Sequence, residues 1–567
     1  MKSFIKFSLI VLCASFIFSS CGKKGDSGKM IPANALFVAQ LNMKSLTSKV
    51  SIDDMKKMSW FQNVQGDTSH PEWMKKLLAN PEASGIDLQD PITFFVNKDK
   101  SQNYQVVLEG SLKKAADFEA FNKNFSNGSA TTKSGDLNVL LLKKNNIATW
   151  NDKNFVYVMD VPQSPKFTDF NDTIAGPPSS APADNSASLT TFATSLFNLK
   201  TDSSLANNTK YSDLVKQKGD VYMWQNTEEI MNNNAALGML GMMKLDVFFK
   251  GNIGTYRVNF DDGKILVEQK NYLGKELSDY YKKYNGSKIN TDIIKNIPSQ
   301  NVIGMFAANF KAGALEELVK LIGADGMANM FLQQAGFNLQ DITKANNGNL
   351  LVAVTDLNMK IDTSRNAEGV MLNSSMIPDM NVLMAMGVND KASFQKIMTY
   401  LDKMKNSMSK DTSINAQLTD KYFVVSNHQN FANGFLNNNS KSSFDFLDKI
   451  DGHSMGAYLD FQKLISAISM DKKTDSLAKK ALDASLKTWK NATMKGGDFD
   501  DGAITSNIEV NMVDDKTNSL KQLASFADEM YKINEERKAS MPKTANMDSL
   551  LAPPPMDTVH IDTTIAK

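Results

Sequence analysis

The sequence predicts an α+β protein made of two tandem copies of one module, each an antiparallel sheet with helices on one face. Three observations lead there. A set of landmarks recurs in the same order along both halves of the 567-residue chain. Strand-like and helix-like periodicities alternate within each half. An Asp-Asp-Gly turn signal sits between two strand-like runs in each half, where Gly takes positive φ without steric cost.

In chain order, Ile31-Pro32 opens the strand-like segment 36–42, followed by Lys44 and a helix, as Ile297-Pro298 opens 302–309, followed by Lys311 and a helix. Gly85-Ile86-Asp87-Leu88-Gln89-Asp90 then matches Gly336-Phe337-Asn338-Leu339-Gln340-Asp341. Gly110, Lys114, Ala115 and Phe118 match Gly387, Lys391, Ala392 and Phe394, and Asp152 to Val156 matches Asp420 to Val424. Asn207 to Lys210 matches Asn438 to Lys441, and Phe260-Asp261-Asp262-Gly263 matches Phe499-Asp500-Asp501-Gly502. The offsets drift between 231 and 277 residues. A shared order of this length is the signature of a duplication.

Within each copy the periods are readable. Phe118, Phe121 and Phe125 fall on one helical stripe, as do Phe394, Ile397, Met398, Leu401 and Met404. Segments 105–109 and 382–386 precede these helices as strands, and 155–158 and 423–425 follow them. Stripes of Leu277, Tyr280, Tyr281 and Tyr284, and of Leu520, Leu523, Ala527 and Tyr531, end the two copies. The expected boundaries are 30–285 and 296–533, joined by an exposed connection at 286–296. A turn-rich insertion at 161–190 and a Pro-rich disordered tail at 537–567 fall outside the repeat.

The N-terminus carries an address. Lys2 and Lys6 flank the start of an apolar run from Phe7 to Phe18, too short to span a membrane, and Phe18-Ser19-Ser20-Cys21-Gly22 follows. This pattern resembles a bacterial lipobox, with Phe18 where Leu is commonest. The resemblance implies a signal peptide at 1–20, a lipidated Cys21 and a flexible tether at 21–29, with several acyl chains making the anchor effectively permanent.

Composition excludes several classes. Without residues 1–20 the chain has 61 Lys and Arg against 62 Asp and Glu, since Lys2 and Lys6 leave with the signal, so no basic field exists to attract nucleic acid. Both cysteines, Cys13 and Cys21, precede the body, which therefore holds no disulfide, thiolate nucleophile or cysteine metal site.

Candidate chemistry is sparse. His70, His428, His453 and His560 are the mature chain's histidines, and none stands at helical spacing from another to bind zinc. A Ser-His-Asp set is conceivable in space, but no Gly-x-Ser-x-Gly elbow is present. Asp261-Asp262 and Asp500-Asp501 are the only paired carboxylates duplicated in register, and they read as exposed turn residues remote from any cleft. Met239, Met242 and Met243 read as core filling in a chain of 32 methionines. Lys44 and Lys311 read as solvated helix starts. No catalytic residue, cofactor or metal is expected.

The lipobox at Cys21, the Ile31-Pro32 opening with Asn42-Met43-Lys44-Ser45-Leu46, and the Gly85-Ile86-Asp87-Leu88 element together resemble a family of uncharacterised lipoproteins common in Bacteroidetes, defined only as a domain of unknown function. The resemblance implies a Gram-negative envelope and supplies no catalytic residues. Surface lipoproteins of that phylum often carry an acidic run after the cysteine; Lys23 and Lys24 stand there instead, which points to the periplasmic face of the outer membrane. Asp172-Thr173-Ile174, Asp475-Ser476-Leu477, Asp548-Ser549-Leu550 and Asp557-Thr558-Val559 resemble the phylum's O-glycosylation triplets. The expected function is a non-enzymatic binding or scaffolding protein of the envelope, with the membrane and an envelope protein or glycan as partners. The alternative is a periplasmic hydrolase of glycan or peptide whose carboxylates are assembled by the fold.

Overall fold

A computed structural model describes residues 27–66, 72–98, 103–126, 128–143, 146–161, 185–231, 243–311, 313–365, 371–407, 414–438, 442–469 and 475–540. The signal segment, Cys21, most of the 161–190 insertion, His70, His560, Met239, Met242 and the tail beyond Ser540 lie outside these residues.

The first half contributes β1 (Phe37–Leu41), β2 (Ile92–Lys98), β3 (Tyr104–Ser111), β4 (Thr132–Ser134), β5 (Leu137–Lys143), β6 (Asn146–Trp150), β7 (Asn154–Val161), β8 (Val221–Asn226), β9 (Ile253–Asp261) and β10 (Lys264–Tyr272). The second contributes β11 (Val302–Asn309), β12 (Asn346–Arg365), β13 (Met371–Val388), β14 (Asn415–Leu418), β15 (Tyr422–Ser426), β16 (Met455–Asp460), β17 (Trp489–Asp500) and β18 (Ala503–Met512). Every pairing is antiparallel. The first-half ladder runs β4-β5-β6-β7-β3-β2-β1-β8-β9-β10. The second runs β14-β15-β13-β12-β11-β16-β17-β18. Nine residue pairs between β10 and β18 join them into one continuous sheet. From β6 to β10 and from β14 to β18 the spatial order of strands is the same.

Helices cover both faces of this sheet, not one. In β7 and β15 consecutive residues are apolar and buried, so each strand presents a core residue to either side. On one face Val156 and Val158 pack with Val38, Phe95 and Val107 beneath Leu189, Ala193 and Leu196 of the helix Ser186–Phe197. On the other, Phe155 meets Phe118 of the helix Ala115–Asn122 at 5.1 Å between ring centroids. The second half does the same. Val424 packs with Leu351 and Leu383 under Phe431 and Phe435 of the helix Gln429–Leu436, while Phe423 stacks on Phe394 of the helix Lys391–Ser407 at 4.6 Å. Alternation alone reads one buried face per strand, which is why the one-sided arrangement was expected.

The connection at 286–296 is only partly exposed: Ser287, Lys288, Asn290 and Asp292 face water, but the rest does not. It forms the helix Thr291–Lys295, whose Ile293 and Ile294 are fully buried in the second-half core, and Ile289 N–H donates to the His453 carbonyl at 2.8 Å. The apolar side chains of Ile289, Ile293 and Ile294 could not remain in water once a core lay beneath them. The last helix, Ser519–Ser540, runs slightly past the expected start of the tail at 537.

Both Asp-Asp-Gly segments are hairpin turns with glycine at positive φ, +67° at Gly263 and +75° at Gly502. The second is open to water as expected, and in the first Asp262 is exposed but Gly263 is not. Gly263 is buried because the segment after β18 folds over it: its N–H donates to the Thr517 carbonyl at 2.9 Å, and Asn518 Nδ2 donates to the Phe260 carbonyl at 2.8 Å. Nearby, a buried hub ties three elements. Asp220 accepts from Ser45 Oγ at 2.5 Å and from Phe260 N–H at 2.6 Å, and pairs with the Lys49 ammonium.

One element has no counterpart among the described residues of the first half. Beyond Thr355, β12 leaves β11, and residues 358–365 pair only with 371–379 of β13, so the hairpin continues as a two-stranded ribbon. Asp356 stands at its base with φ +57°, held there by bonds from Ser299 Oγ (2.8 Å), Thr355 Oγ1 (2.7 Å) and Asn381 Nδ2 (2.9 Å).

Candidate functional site: a polar cleft over β16 to β18

The sheet face that carries the Val424 core also carries a cleft of about 410 Å3, toward one end of β16, β17 and β18. Its wall starts from a glycine. A Cβ on Gly456 would stand 2.7 Å from Ile450 Cβ, so only glycine lets the short helix Leu447–Ile450 lie against β16. That contact places Lys449 at the cleft. Phe444, Phe446 and Tyr458 stack in a column beside it, with centroids 5.2 Å and 4.3 Å apart.

The floor is polar. Tyr458 pairs with Thr493, and Asn491 sits beside Asn511, whose Nδ2 donates to Asn491 Oδ1 at 2.8 Å. Thr493 Oγ1 is buried without a hydrogen-bond partner. At the far wall Asp460 caps the helix Phe461–Ser469, accepting from Lys463 N–H at 3.0 Å, and Lys463 Nζ reaches the Val302 carbonyl at 3.2 Å. Lys490, at a bulge in β17, completes the lining.

Charges here are partly matched. Glu509 bridges Lys449 at 2.5 Å and Lys264 at 3.6 Å, and although burial opposes ionisation, the Lys449 bond holds its carboxyl below the ordinary range. Lys463 lies 3.5 Å from Asp460. Lys490 is exposed and has no ion pair or hydrogen bond among the described residues. Burial, reinforced by Asp460, pushes the Tyr458 phenol up, so it stays protonated and donates to Asp460 Oδ2 at 3.2 Å.

The sequence-predicted residues are dispersed. His453 Nδ1 contacts Asp498 Oδ2 at 2.5 Å, whereas His428 lines a second, more open cleft of about 560 Å3 with Asp379 and Asn381. Ser454, next to His453, directs its Oγ to the Gly496 carbonyl at 3.3 Å, so no serine hydroxyl is supplied to that histidine from there. Asp261-Asp262 and Asp500-Asp501 line neither cleft. Lys44 lies in the first turn of the helix Met43–Lys49, and Lys311 donates to the Lys283 carbonyl at 3.2 Å. Met243 is half-buried. Among the described residues no cluster of three or more His, Cys, Asp or Glu is placed to hold a metal, and no helix is long and apolar enough to cross a membrane.

Sequence reasoning passed over Glu109, placed within a strand and given no role. In the register Gln40, Thr93 and Glu109 form one row on the inner face of the first half. Gln40 Nε2 donates to Ser27 Oγ at 2.9 Å, and Ser27 Oγ lies 3.5 Å from Tyr211 Oη. Burial pushes the Glu109 carboxyl up to about 7, against a Thr93 hydrogen bond that lowers it, and its Oε2 has no partner. The corresponding row of the second half is Ala307, Leu351 and Ala385, wholly apolar. It also passed over Lys449, Lys463 and Lys490, which come from separate elements and share no spacing.

A single antiparallel sheet, of 18 strands among the described residues, faced by helices on both sides and carrying a polar cleft near its centre, is the class of protein these residues define. The chain belongs to the family described as Domain of unknown function (DUF4836), which matches residues 28–444. That match stops at Phe444, so Lys449, Tyr458, Lys463, Lys490 and Asn511 lie beyond it. No curated protein and no solved structure matches the chain.

Proposed function

We propose that the chain is a lipoprotein of a Bacteroidetes-type cell envelope, anchored through Cys21 at the periplasmic face of the outer membrane. Its two halves are copies of one module, and it acts by binding a hydrophilic envelope ligand without transforming it. The cleft over β16 to β18 carries this reading. Its volume falls within the roughly 300–1,000 Å3 of small-molecule sites, and its lysines, amides and hydroxyls suit a ligand rich in oxygen. The common strand order from β6 to β10 and from β14 to β18 supports the duplication. The lipobox at Cys21 supports the anchor.

Two experiments test it. Labelled palmitate is expected to enter the wild-type protein and not Cys21→Ala; equal labelling of both would overturn the anchor. Ligand-observed NMR with an acid hydrolysate of envelope polysaccharide is expected to show saccharides that bind and are recovered unchanged. Recovery of cleaved oligosaccharides after incubation with unhydrolysed polysaccharide would favour the hydrolase instead. The contact of His453 with Asp498 is the observation on that side, and loss of cleavage in His453→Ala would assign the activity to it.

A further inference from the structure

We propose that the cleft over β16 to β18 takes a small hydroxylated carboxylate, a monoanionic sugar acid, with Lys490 as the partner of its carboxylate. The inference rests on the binding reading above and names the ligand class of the same site.

Charge comes first. Four ammonium groups, Lys264, Lys449, Lys463 and Lys490, converge on this corner of the sheet with three carboxylates, Asp445, Asp460 and Glu509. Glu509 takes Lys449 and Lys264, and Asp460 takes Lys463. The seven groups sum to one positive charge, and among the described residues Lys490 is the one ammonium of the four without a carboxylate partner, as Asp445 is the one carboxylate of the three without a lysine. A single surplus cation matches one carboxylate better than a phosphate dianion, which would bring a second charge without a partner.

The rest of the lining selects hydroxyl groups. Asn491 and Asn511 offer amide donors and acceptors, Ser443 a hydroxyl, and Thr493 an Oγ1 that the protein leaves unpaired. A buried hydroxyl without a partner is costly, and a ligand hydroxyl reaching it would relieve that cost. The column of Phe444, Phe446 and Tyr458 gives one wall an apolar surface for the carbon skeleton.

The same corner in the first half is filled. Asn511 pairs with Lys264, and the position 239 residues earlier is Tyr272, which pairs with Ala503. There the Lys210 ammonium lies 4.7 Å from the centre of the Tyr272 ring, and Trp224 faces Thr255 where Tyr458 faces Thr493. A tyrosine in place of Asn511 closes the space, so the structure assigns one such site per chain.

The test is calorimetric titration of the detergent-solubilised full-length chain with D-glucuronate, D-glucose and inorganic phosphate. Glucuronate is expected to bind at one site, at least about tenfold more tightly than glucose or phosphate, and to weaken as salt is raised. Lys490→Glu is expected to weaken glucuronate by about tenfold or more, because it replaces an ammonium that has no ion pair among the described residues with a carboxylate. Asn511→Tyr is expected to abolish binding, with both variants melting at the wild-type temperature. Because the Lys490 side chain is exposed and has no hydrogen bond or ion pair among the described residues, its variant keeps the test valid even if Asn511→Tyr folds poorly. Glucose binding as tightly as glucuronate overturns the sugar-acid assignment while leaving the binding reading intact. Tighter phosphate, glucuronate binding untouched by either variant, or no binding of glucuronate overturns the inference, and the polysaccharide hydrolysate still decides the reading beneath it.

Discussion

Glu268 of β10 faces Asn507 of β18 across the central ladder, and the two stand 239 positions apart in sequence, the same separation as Gly263 and Gly502. A ladder that sets matching residues opposite one another is what a two-fold axis through that pair produces. The bonds at its two ends are reciprocal: Met512 N–H donates to the Gly263 carbonyl at 2.8 Å, and Leu273 N–H to the Gly502 carbonyl at 2.9 Å.

The proposed duplication therefore has a direct test. In an experimental structure, residues 30–285 and 296–533 are expected to superpose with Phe118 on Phe394, Phe155 on Phe423 and Glu268 on Asn507. If those pairs separate by a strand or more in the best superposition, the shared order of landmarks is coincidence.

The two turn glycines are expected to differ in cost. A Cβ on Gly263 would stand 2.4 Å from Asp515 Cα and 2.6 Å from its carbonyl oxygen, whereas one on Gly502 would come no closer than 4.0 Å, to Ser278 Oγ. Gly502→Ala carries only positive-φ strain, about 1 kcal/mol. Gly263→Ala adds a backbone clash and is expected to cost at least about 2 kcal/mol more. Asp262→Asn, on an exposed side chain suited to the same turn, is expected to change stability little. Thermal melts of the three variants decide it, and equal losses for the two glycines would remove the clasp from the explanation.

Glu109 makes stability depend on pH. Its folded-state carboxyl is raised from 4.5 to about 7, so the folded chain holds a proton that the unfolded chain releases. Stability from this group is complete below about 4.5 and is lost as pH rises through about 7, by about 3 kcal/mol in all. Glu109→Gln, which cannot ionise, is expected to match the wild type at pH 5 and to exceed it at pH 8.5 in denaturant titrations. Parallel pH curves for the two proteins would show that the carboxyl is hydrated and ordinary.

Asp220 is expected to be the most costly single polar side chain to remove. Asp220→Ala strands the Lys49 ammonium and leaves the Ser45 hydroxyl and Phe260 N–H without their acceptor. Breaking a buried pair this way costs roughly 3–5 kcal/mol. Chemical denaturation of Asp220→Ala and Lys49→Met separates the contributions; a loss under about 1 kcal/mol for Asp220→Ala would mean water replaces the carboxylate.

Local chemistry in the sequence determined much of this. The Asp-Asp-Gly turns, the run of strand and helix along each half and the aromatic stripe through Phe118 and Phe394 depend on φ preferences and side-chain periodicity, which act over a few residues. The resemblance of residues 18–22 to a lipobox is likewise a property of the N-terminal sequence. Tertiary structure decided the rest. That β10 pairs with β18 and that Gly263 lies under the segment after β18 depend on contacts between residues more than 200 positions apart, and the helices on the two sheet faces are held by contacts such as Phe118 with Phe155 and Phe394 with Phe423, about 30 to 40 positions apart. The cleft is likewise a product of tertiary structure, since its Lys449, Lys463 and Lys490 come from two helices and a strand bulge. Glu109 shows the reason most plainly. Its strand was legible from five residues, but the burial that raises its carboxyl is supplied by neighbours such as Thr93 and Tyr211, and no pattern local to Glu109 encodes what the chain will fold against it.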